Sequence, residues 1–183
     1  MEIDELDAFF QSLTAAILGV DANSQVRVSY PDDGAPAWGF EEDVIFVHPR
    51  PVDGSYNRQR EHAYLYSASP EEFDDTVSYT RIDEVNWVLY GPNSFKYAML
   101  LRDAMFYDDN RIKLAKNNLH LIPDIVEPIH THELFETKWW PRMDMAMRFN
   151  EFVTRTNSAQ FLKTAEVIVN ADGEASLDIN VTQ

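Results

Sequence analysis

Cysteine is absent from the 183 residues of this chain. Its absence excludes disulfides, thiolate metal ligands and a cysteine nucleophile, and it is typical of proteins that assemble in a reducing cytoplasm. A chain of this length buries about 70% of its unfolded surface on folding. Packing alone must therefore hold the fold together, and the chain is long enough for that.

Long apolar runs are also missing. No segment approaches the roughly 18 apolar residues that a membrane-spanning helix needs. The first ten residues, MEIDELDAFF, are acidic, whereas a secretory signal peptide begins with basic residues. These features predict a protein that is made in the cytoplasm, is not secreted and has no membrane partner.

Basic residues are scarce: 15 Lys and Arg face 31 Asp and Glu, which gives a net charge of −16. Residues 1–91 carry most of the imbalance, with 5 basic and 18 acidic side chains. Such a chain repels phosphate and has no basic stripe to release counterions, so the sequence predicts no sequence-specific or tight nucleic-acid binding. Solubility alone is an alternative explanation of the acidity.

Catalytic fingerprints are lacking as well. The sequence contains no G-x-S-x-G elbow, P-loop or Rossmann glycine pattern, and its six glycines are isolated. Acidic pairs such as Asp32-Asp33 and Asp74-Asp75 are expected by chance among 31 acids, and neighbouring carboxylates usually face different ways. The sequence therefore predicts no catalytic residue and no cofactor.

One short segment has metal-ligand spacing. His130 and His132 would point the same way on an extended strand, and Glu133 follows them. A further ligand from elsewhere is needed, and the helical H-E-x-x-H arrangement is absent. We therefore interpret these histidines as surface residues of an interface loop and predict no metal. A metal-dependent hydrolase stays an alternative.

Apolar periodicity predicts a single α+β domain over residues 1–183, a mainly antiparallel sheet flanked by two or three helices. Ile3, Leu6, Phe10, Leu13 and Ile17 mark a helix over residues 3–18 that ends at Gly19. The predicted strands before residue 70 lie at 26–30, 44–47 and 61–67, and 119–122 forms a later one.

A strand–turn–helix unit is predicted over residues 76–107. Val85, Trp87 and Leu89 share one face of its strand, and Gly91-Pro92 ends that strand. Ser94 is the predicted N-cap of the helix, which runs to Phe106 and ends at Asp108-Asp109-Asn110.

The last predicted part is a strand and a hairpin within residues 142–181. Residues 142–149 alternate, with Met143, Met145, Met147 and Phe149 on one side of a half-exposed strand. The phase breaks at residues 151–152, which predicts a bulge or the departure of the strand from the sheet. Residues 165–181 read as a hairpin around Gly173.

Aromatic residues are plentiful, at 13%, and surplus aromatics often anchor interfaces. Trp139 and Trp140 are predicted to enter the core or to lie under a neighbouring subunit, and core burial of at least one is favoured. Charged residues on two segments are candidates for contacts with a subunit, a ring or a DNA channel, although a plain solvated face is an alternative for the second segment. They are Arg58 and Arg60 on a projecting loop, and Arg142, Asp144 and Arg148 on the alternating strand.

Four segments occur in an order that resembles the tail-terminator, or neck terminator, family of tailed bacteriophages. They are SYPDDGAPAW at 29–38, YNRQRE at 56–61, VNWVLYGPNSFKYAMLLRDAMF at 85–106 and KWWPRMDMAMRFNE at 138–151. The resemblance spans residues 3–172. It implies a structural virion protein at the head–tail junction that caps the tail tube and joins it to the neck.

The resemblance also implies partners: a homohexameric ring, the tail tube protein and the head-completion or neck proteins. DNA would pass only as the transiting genome, and a negatively charged lumen would let it slide. A cell-wall hydrolase and a monomeric tail or neck adaptor are the alternatives from other classes.

Overall fold

The computed structural model describes residues 1–30, 34, 37–66 and 72–160. Within them the chain forms three α-helices, one 3-10 turn and seven strands of a mainly antiparallel sheet, which confirms the α+β class. In chain order these elements are α1 Ile3–Leu18, β1 Val26–Val28, β2 Val44–Val52, the 3-10 turn Ser55–Arg58, β3 Glu61–Tyr66, β4 Glu72–Tyr90, α2 Ser94–Ala104, α3 Asp108–Ala115, β5 Leu119–Leu121, β6 Ile129–Phe135 and β7 Lys138–Gln160.

The chain divides into two compact units. The first contains residues 1–59 and 79–153, and the second contains residues 60–78 and the chain from residue 154. In the first unit the strand order is β1-β2-β4-β7-β5, and β6 pairs with the beginning of β7. β1 is parallel to β2, whereas β2 with β4, β5 with β7 and β6 with β7 are antiparallel.

The core of the first unit lies between the helices and one face of the sheet. All three described helices bury residues there, and the strands contribute alternate residues, as their period of two requires. Trp87 is fully buried, and its indole Nε1 donates to Oγ1 of Thr14 at 3.0 Å. The sheet residues of this core are Val26, Ile45, Val47, Val85, Trp87, Leu89, Leu119, Met143, Met145, Met147 and Phe149.

The first helix matches its sequence prediction in bounds and in its stop. The carboxylate of Glu5 accepts from the backbone N–H of Glu2 at 2.9 Å, which satisfies one orphan donor of the first turn. Gly19 ends the helix with φ +67°. Leu6, Phe10 and Leu13 of the predicted stripe are buried, whereas Ile3 is exposed.

The second helix was predicted too long, and the third was missed. α2 ends at Ala104, and Asp108 and Asp109 occupy the first turn of α3 rather than ending α2. Acidic side chains stabilise the positive N-terminal end of a helix, so this acidic pair is a start signal. The N-cap of α2 is Asn93 and not Ser94, and Asp43 accepts from Nδ2 of Asn93 at 2.7 Å.

β2 extends to Val52, five residues beyond its predicted end, although it contains Pro49 and Pro51. Among the described residues β1 pairs only with Ile45, Phe46 and Val47, so in the described sheet the later part of β2 is an edge on that side. A proline can sit in such an edge because no neighbouring strand needs its missing N–H.

β7 was predicted too short, and the break at residues 151–152 is wrong. Glu151 continues the alternation of β7, pairs with Leu119 of β5 and is 2% exposed. The alternating pattern of β7 calls for an apolar residue at each buried position, so a buried glutamate looks in the sequence like the end of that pattern. The predicted hairpin 165–181 and the pair Asp32-Asp33 lie outside the described residues.

Glu151 belongs to a buried charge cluster with Arg81, Asp83 and the amino group of Met1. Nη2 of Arg81 lies 2.5 Å from Oε2 of Glu151, and the Met1 amine contacts Oε1. Nε of Arg81 lies 3.3 Å from Oδ1 of Asp83, which is fully buried. Burial raises the pKa of Asp83 to about 6, although the nearby Arg81 opposes the shift.

Gly91, between β4 and α2, is required by its backbone geometry. Its φ is +104°, and a Cβ there would lie 2.5 Å from the backbone oxygen of Glu42. We expect Gly91→Ala to lower the free energy of unfolding by about 3 kcal/mol through strain and collision, measured by urea denaturation. Gly19→Ala is the matched control, because Gly19 has φ +67° and open space around it.

The control should cost only about 1 kcal/mol, from left-handed strain alone. Equal losses in the two variants would contradict a role for the close approach.

No helix in the described part of the chain is long and apolar enough to cross a membrane.

Candidate functional site

The face of the first unit's sheet opposite the core is covered by none of the described helices, because these pack into the core. We call it the open face. It carries Phe46 of β2, Glu84 and Tyr90 of β4, Glu133 and Phe135 of β6, and Trp140, Arg142, Asp144 and Arg148 of β7. Period-two alternation places these residues there, while Met143, Met145 and Met147 point into the core.

Six rings form an aromatic cluster on the open face. The ring of Trp38, from the segment before β2, lies 5.2 Å from that of Phe46, 5.6 Å from that of Tyr90 and 6.1 Å from that of Trp140. These centroid distances are typical of favourable tilted and edge-to-face ring pairs. The cluster consists of Trp38, Phe40, Phe46, Tyr90, Phe135 and Trp140.

The aromatic cluster encloses part of an open cavity of about 270 Å³. The indole Nε1 of Trp38 is buried, and it has no hydrogen-bond acceptor among the residues that the structure describes. A buried N–H without an acceptor costs free energy, so this donor favours a partner that brings one. The described residues lining the cavity are Ala37, Trp38, Tyr90, Glu133, Phe135 and Trp140.

An ionic network borders the cavity. The hydroxyl of Tyr90 donates to Oε2 of Glu133 at 2.6 Å, and Nη1 of Arg142 donates to the same oxygen at 3.2 Å. Nε of Arg142 donates to Oδ1 of Asp144 at 2.7 Å. The predicted charge-bearing residues Arg142 and Asp144 therefore lie together, and they pair within the subunit.

The pKa values of this network fix its charges near neutral pH. Burial, followed by the bond to Glu133, raises the pKa of Tyr90 to about 12. The Tyr90 hydroxyl lowers the pKa of Glu133, and the Asp144 carboxylate raises the pKa of Arg142. Glu133 is thus anionic, and Arg142 is cationic.

A second ionic row crosses the open face further along the strands. Nη2 of Arg50 lies 2.6 Å from Oε1 of Glu84, and Nε of Arg148 lies 2.9 Å from Oε2 of the same carboxylate. Arg50 above all lowers the pKa of Glu84. The two arginine side chains remain more than half exposed, so the row can still meet a partner.

Residues 4–177 match the family of phage neck terminator proteins. The chain belongs to this family. The terminator is therefore a structural, non-enzymatic virion protein of the phage head–tail junction, with the tail tube and the neck as its partners. Among curated proteins none matches the chain.

The structure of the terminator places four of the seven predicted site residues on the open face: Trp140, Arg142, Asp144 and Arg148. Trp139 points to the other side of β7 and is 62% exposed, and Trp140 is half-buried. The expectation that one of the pair enters the core is therefore wrong. Both lie near the start of β7, before its alternate residues reach the buried core at Met143.

Neither Arg58 nor Arg60 is among the described residues that line the cavity. Arg58, on the 3-10 turn, pairs with Asp53 at 2.9 Å, and both side chains are 76% exposed. Arg58 lowers the pKa of Asp53. Such exposed pairs contribute little stability, so Arg58 can exchange its partner. Arg60 is exposed in the second unit of the terminator, and its predicted contact with a ring or DNA stays a prediction.

His130 and His132 do not converge with Glu133. Their rings lie 4.5 Å apart on one side of β6, where their partners across the strands are Met143 and Pro141. Glu133 points to the open face, where it bonds to Tyr90. No group of three possible metal ligands occurs among the described residues. The segment is strand β6, not the predicted loop.

Sequence reasoning missed Trp38, Tyr90 and Phe135 of the site, and it considered Glu133 only as a possible metal ligand. Tyr90 is out of phase with Val85, Trp87 and Leu89 and so could have been assigned to the opposite face. The pairing of β6 with β7 carries no local signal, and Trp38 lies in an irregular segment. The cavity therefore could not be found without the strand register.

The second unit of the terminator exposes a different aromatic surface. On β3, Tyr64 is exposed and Tyr66 is 90% exposed, and Phe73 of β4 lies 5.6 Å from Tyr64 between ring centroids. We call His62, Tyr64, Tyr66 and Phe73 the aromatic strip, because strand pairing places them on one face. On the opposite face two pairs of hydroxyls meet: Thr76 Oγ1 lies 3.2 Å from Thr156 Oγ1, and Ser78 Oγ lies 3.3 Å from Thr154 Oγ1.

Proposed function

We propose that the terminator acts as a ring of six subunits that caps the tail tube, and that its open face receives a protein of the neck. The alternative in which it works as a monomeric adaptor needs no ring. A ring closes by head-to-tail contacts, so each subunit must present two different surfaces to its neighbours. DNA passes such a ring as the transiting genome and is not gripped by this acidic chain.

The aromatic cluster is the observation that carries the docking part of the proposal. Trp, Tyr and Arg dominate the energetic centres of protein interfaces. The open face combines Trp38, Tyr90 and Trp140 with Arg142 around one cavity. The unsatisfied indole N–H of Trp38 is a feature that burial under a partner would remedy.

The aromatic strip of the second unit supports the ring part. A strand whose six residues are all exposed, with Tyr66 almost fully so, gains little from folding by itself. A neighbouring subunit that covers the strip would bury this apolar area. The strip and the aromatic cluster are unlike each other, as surfaces for different partners must be.

Native mass spectrometry of the purified protein tests the ring, with negative-stain electron microscopy as its companion. We expect a species of six chains and a ring with a central hole at micromolar concentration. A purely monomeric protein over the same range would exclude a self-assembled ring and favour the adaptor.

Electron microscopy of lysates from a phage that lacks this gene tests the role in the particle. We expect filled heads beside unattached or overlong tails. Complete particles that fail only at infection would contradict a terminating and joining role. Expression of the intact gene in trans should restore joined particles.

A further inference from the structure

The cavity in the aromatic cluster has the composition of a cation-binding cage. Its walls are the rings of Trp38, Tyr90, Phe135 and Trp140, and Glu133 adds one carboxylate. Aromatic faces attract ammonium and guanidinium groups, and an anion in the same cavity strengthens this attraction. The cavity has a volume of about 270 Å³, just below the roughly 300–1,000 Å³ of typical small-molecule sites, so its size suits a single side chain.

Two arginines of the chain itself already lie against this cluster. The guanidinium of Arg27 lies 5.6 Å from the ring centre of Trp38, and that of Arg142 lies 5.7 Å from the ring centre of Tyr90. Both distances are within the range of a cation–π contact. Two rings of the cluster therefore already accept guanidinium groups, which is the chemistry that an arginine in the cavity would use.

Glu133 retains an acceptor for an incoming cation. Tyr90 and Arg142 both donate to Oε2, and no described residue donates to Oε1. Its carboxylate lies on a chain with a net charge of −16, so a positive group is attracted at long range as well.

We assign the occupant to a basic partner protein, because this chain is acidic and its own arginines already have contacts within the subunit. Each of the ten arginines of the chain, all among its described residues, already contacts a group of its own subunit. An acidic chain is complementary to a basic partner, and this complementarity sets the choice of partner.

We propose that the cavity binds an arginine side chain of a neighbouring neck protein, stacked between the rings and paired with Oε1 of Glu133. Arginine fits better than lysine, because its planar guanidinium stacks on rings and forks onto a carboxylate. The Nε1 of Trp38 then donates to a backbone carbonyl of the bound segment. This inference rests on the proposed docking role of the open face.

Fluorine NMR of the purified protein labelled with 5-fluorotryptophan tests the binding chemistry, even in a large ring. The chain has four tryptophans, whose signals can be assigned by single Trp→Phe replacements. The probes are N-acetyl-arginine amide and its neutral isostere N-acetyl-citrulline amide. We expect saturable shifts of the Trp38 and Trp140 signals with the arginine probe, at least about tenfold tighter than with citrulline. The signals of Trp87 and Trp139 should not move.

Glu133→Gln should weaken binding of the arginine probe about tenfold, since it removes the negative charge but keeps an acceptor for Tyr90. Glu127→Gln is the matched control, because Glu127 is an exposed acid that pairs with Arg102 at 2.8 Å and does not line the cavity. It should leave binding unchanged. Near-ultraviolet circular dichroism establishes that both variants are folded.

Equal binding of the two probes, or no shift of Trp38 and Trp140 with either probe, overturns the inference. So does unchanged affinity in Glu133→Gln. These outcomes do not depend on the ring or on particle assembly. A ring that binds no arginine would refute the inference alone, whereas arginine binding by a monomer that joins no particles would refute the proposed function alone.

Discussion

Arg81→Met is expected to lower the free energy of unfolding by about 3–5 kcal/mol, because it leaves two buried carboxylates without their shared cation. Arg81 contacts Glu151 at 2.5 Å and Asp83 at 3.3 Å in the buried charge cluster. It also donates to the backbone oxygen of Met1 at 2.6 Å. Chemical denaturation at pH 7 measures the loss.

The loss should be smaller at pH 4 than at pH 7. The pKa of Asp83 in the folded protein is about 6, above its ordinary value of 3.8, so its favourable contribution is fully present below that ordinary value. The contribution disappears as the pH rises through about 6. Arg81 lowers the pKa of Asp83, so in Arg81→Met that pKa is higher than in the parent. The variant therefore keeps losing stability, as the pH rises, over a wider pH range than the parent does. The difference between variant and parent should therefore grow from pH 4 to pH 7.

Arg50→Met is the matched control on the same sheet. Arg50 pairs with Glu84 at 2.6 Å, but its side chain is 55% exposed and Glu84 keeps Arg148. We expect a loss below about 1 kcal/mol with little dependence on pH. Similar losses in both variants would show that Arg81 neutralises no buried charge.

Trp140→Ala is expected to abolish most joining of heads to tails. If Trp140 is a central contact of the docking surface, its truncation costs about 2–4 kcal/mol, or roughly 30- to 1,000-fold in affinity. A phage lacking the gene, supplied with the variant in trans, should give a correspondingly reduced plaque titre. Micrographs should show separate heads and tails.

Tyr107→Ala serves as the control for this variant. Tyr107 is an exposed aromatic residue that directly precedes α3, and it is not part of the aromatic cluster. It should leave the titre unchanged. Both variants must be soluble and must give the oligomer of the parent. A normal titre with Trp140→Ala would exclude the open face from the joining contact.

The fold could be predicted from the sequence in those segments where apolar residues recur at a single regular spacing, either that of a strand or that of a helix. The alternating residues 142–149 placed Met143, Met145, Met147 and Phe149 in the core, and all four are buried. The spacing of Leu6, Phe10 and Leu13 likewise predicted the buried side of α1. Such patterns can be read from the sequence because each side chain of these elements faces either solvent or one core.

The failures have a common physical cause, which is that tertiary contacts overrode a local signal. Glu151 looked like the end of a strand because its partners, Arg81 and the Met1 amine, are remote in sequence. Pro49 and Pro51 looked like a loop, since only the sheet reveals that they lie at an edge of its described part. The acidic residues at 108–109 fit a helix start as well as a stop, and local sequence did not decide between them.

The sequence predicted which residues of β7 share the exposed face of the candidate site, but it did not predict the residues that meet them. Alternation identified Arg142, Asp144 and Arg148 as the exposed face of β7, and the neighbouring Trp140 follows the same phase. The residues that meet them, Trp38, Tyr90 and Glu133, come from three other segments. Only the register of β4 and β6 with the rest of the sheet brings these together, and a single sequence does not encode that register visibly.

The alternation in β7 also separates two kinds of constraint along one segment. Its odd positions from Met143 to Glu151 hold the fold together, and its even positions from Trp140 to Arg148 face outward. If the open face receives the neck protein as proposed, a change at an even position would alter the choice of partner without unfolding the protein. On that basis we expect proteins of this family to acquire affinity for new neck proteins through single substitutions at outward-facing positions. Exchange of the even positions alone should then be enough to change which neck protein is bound.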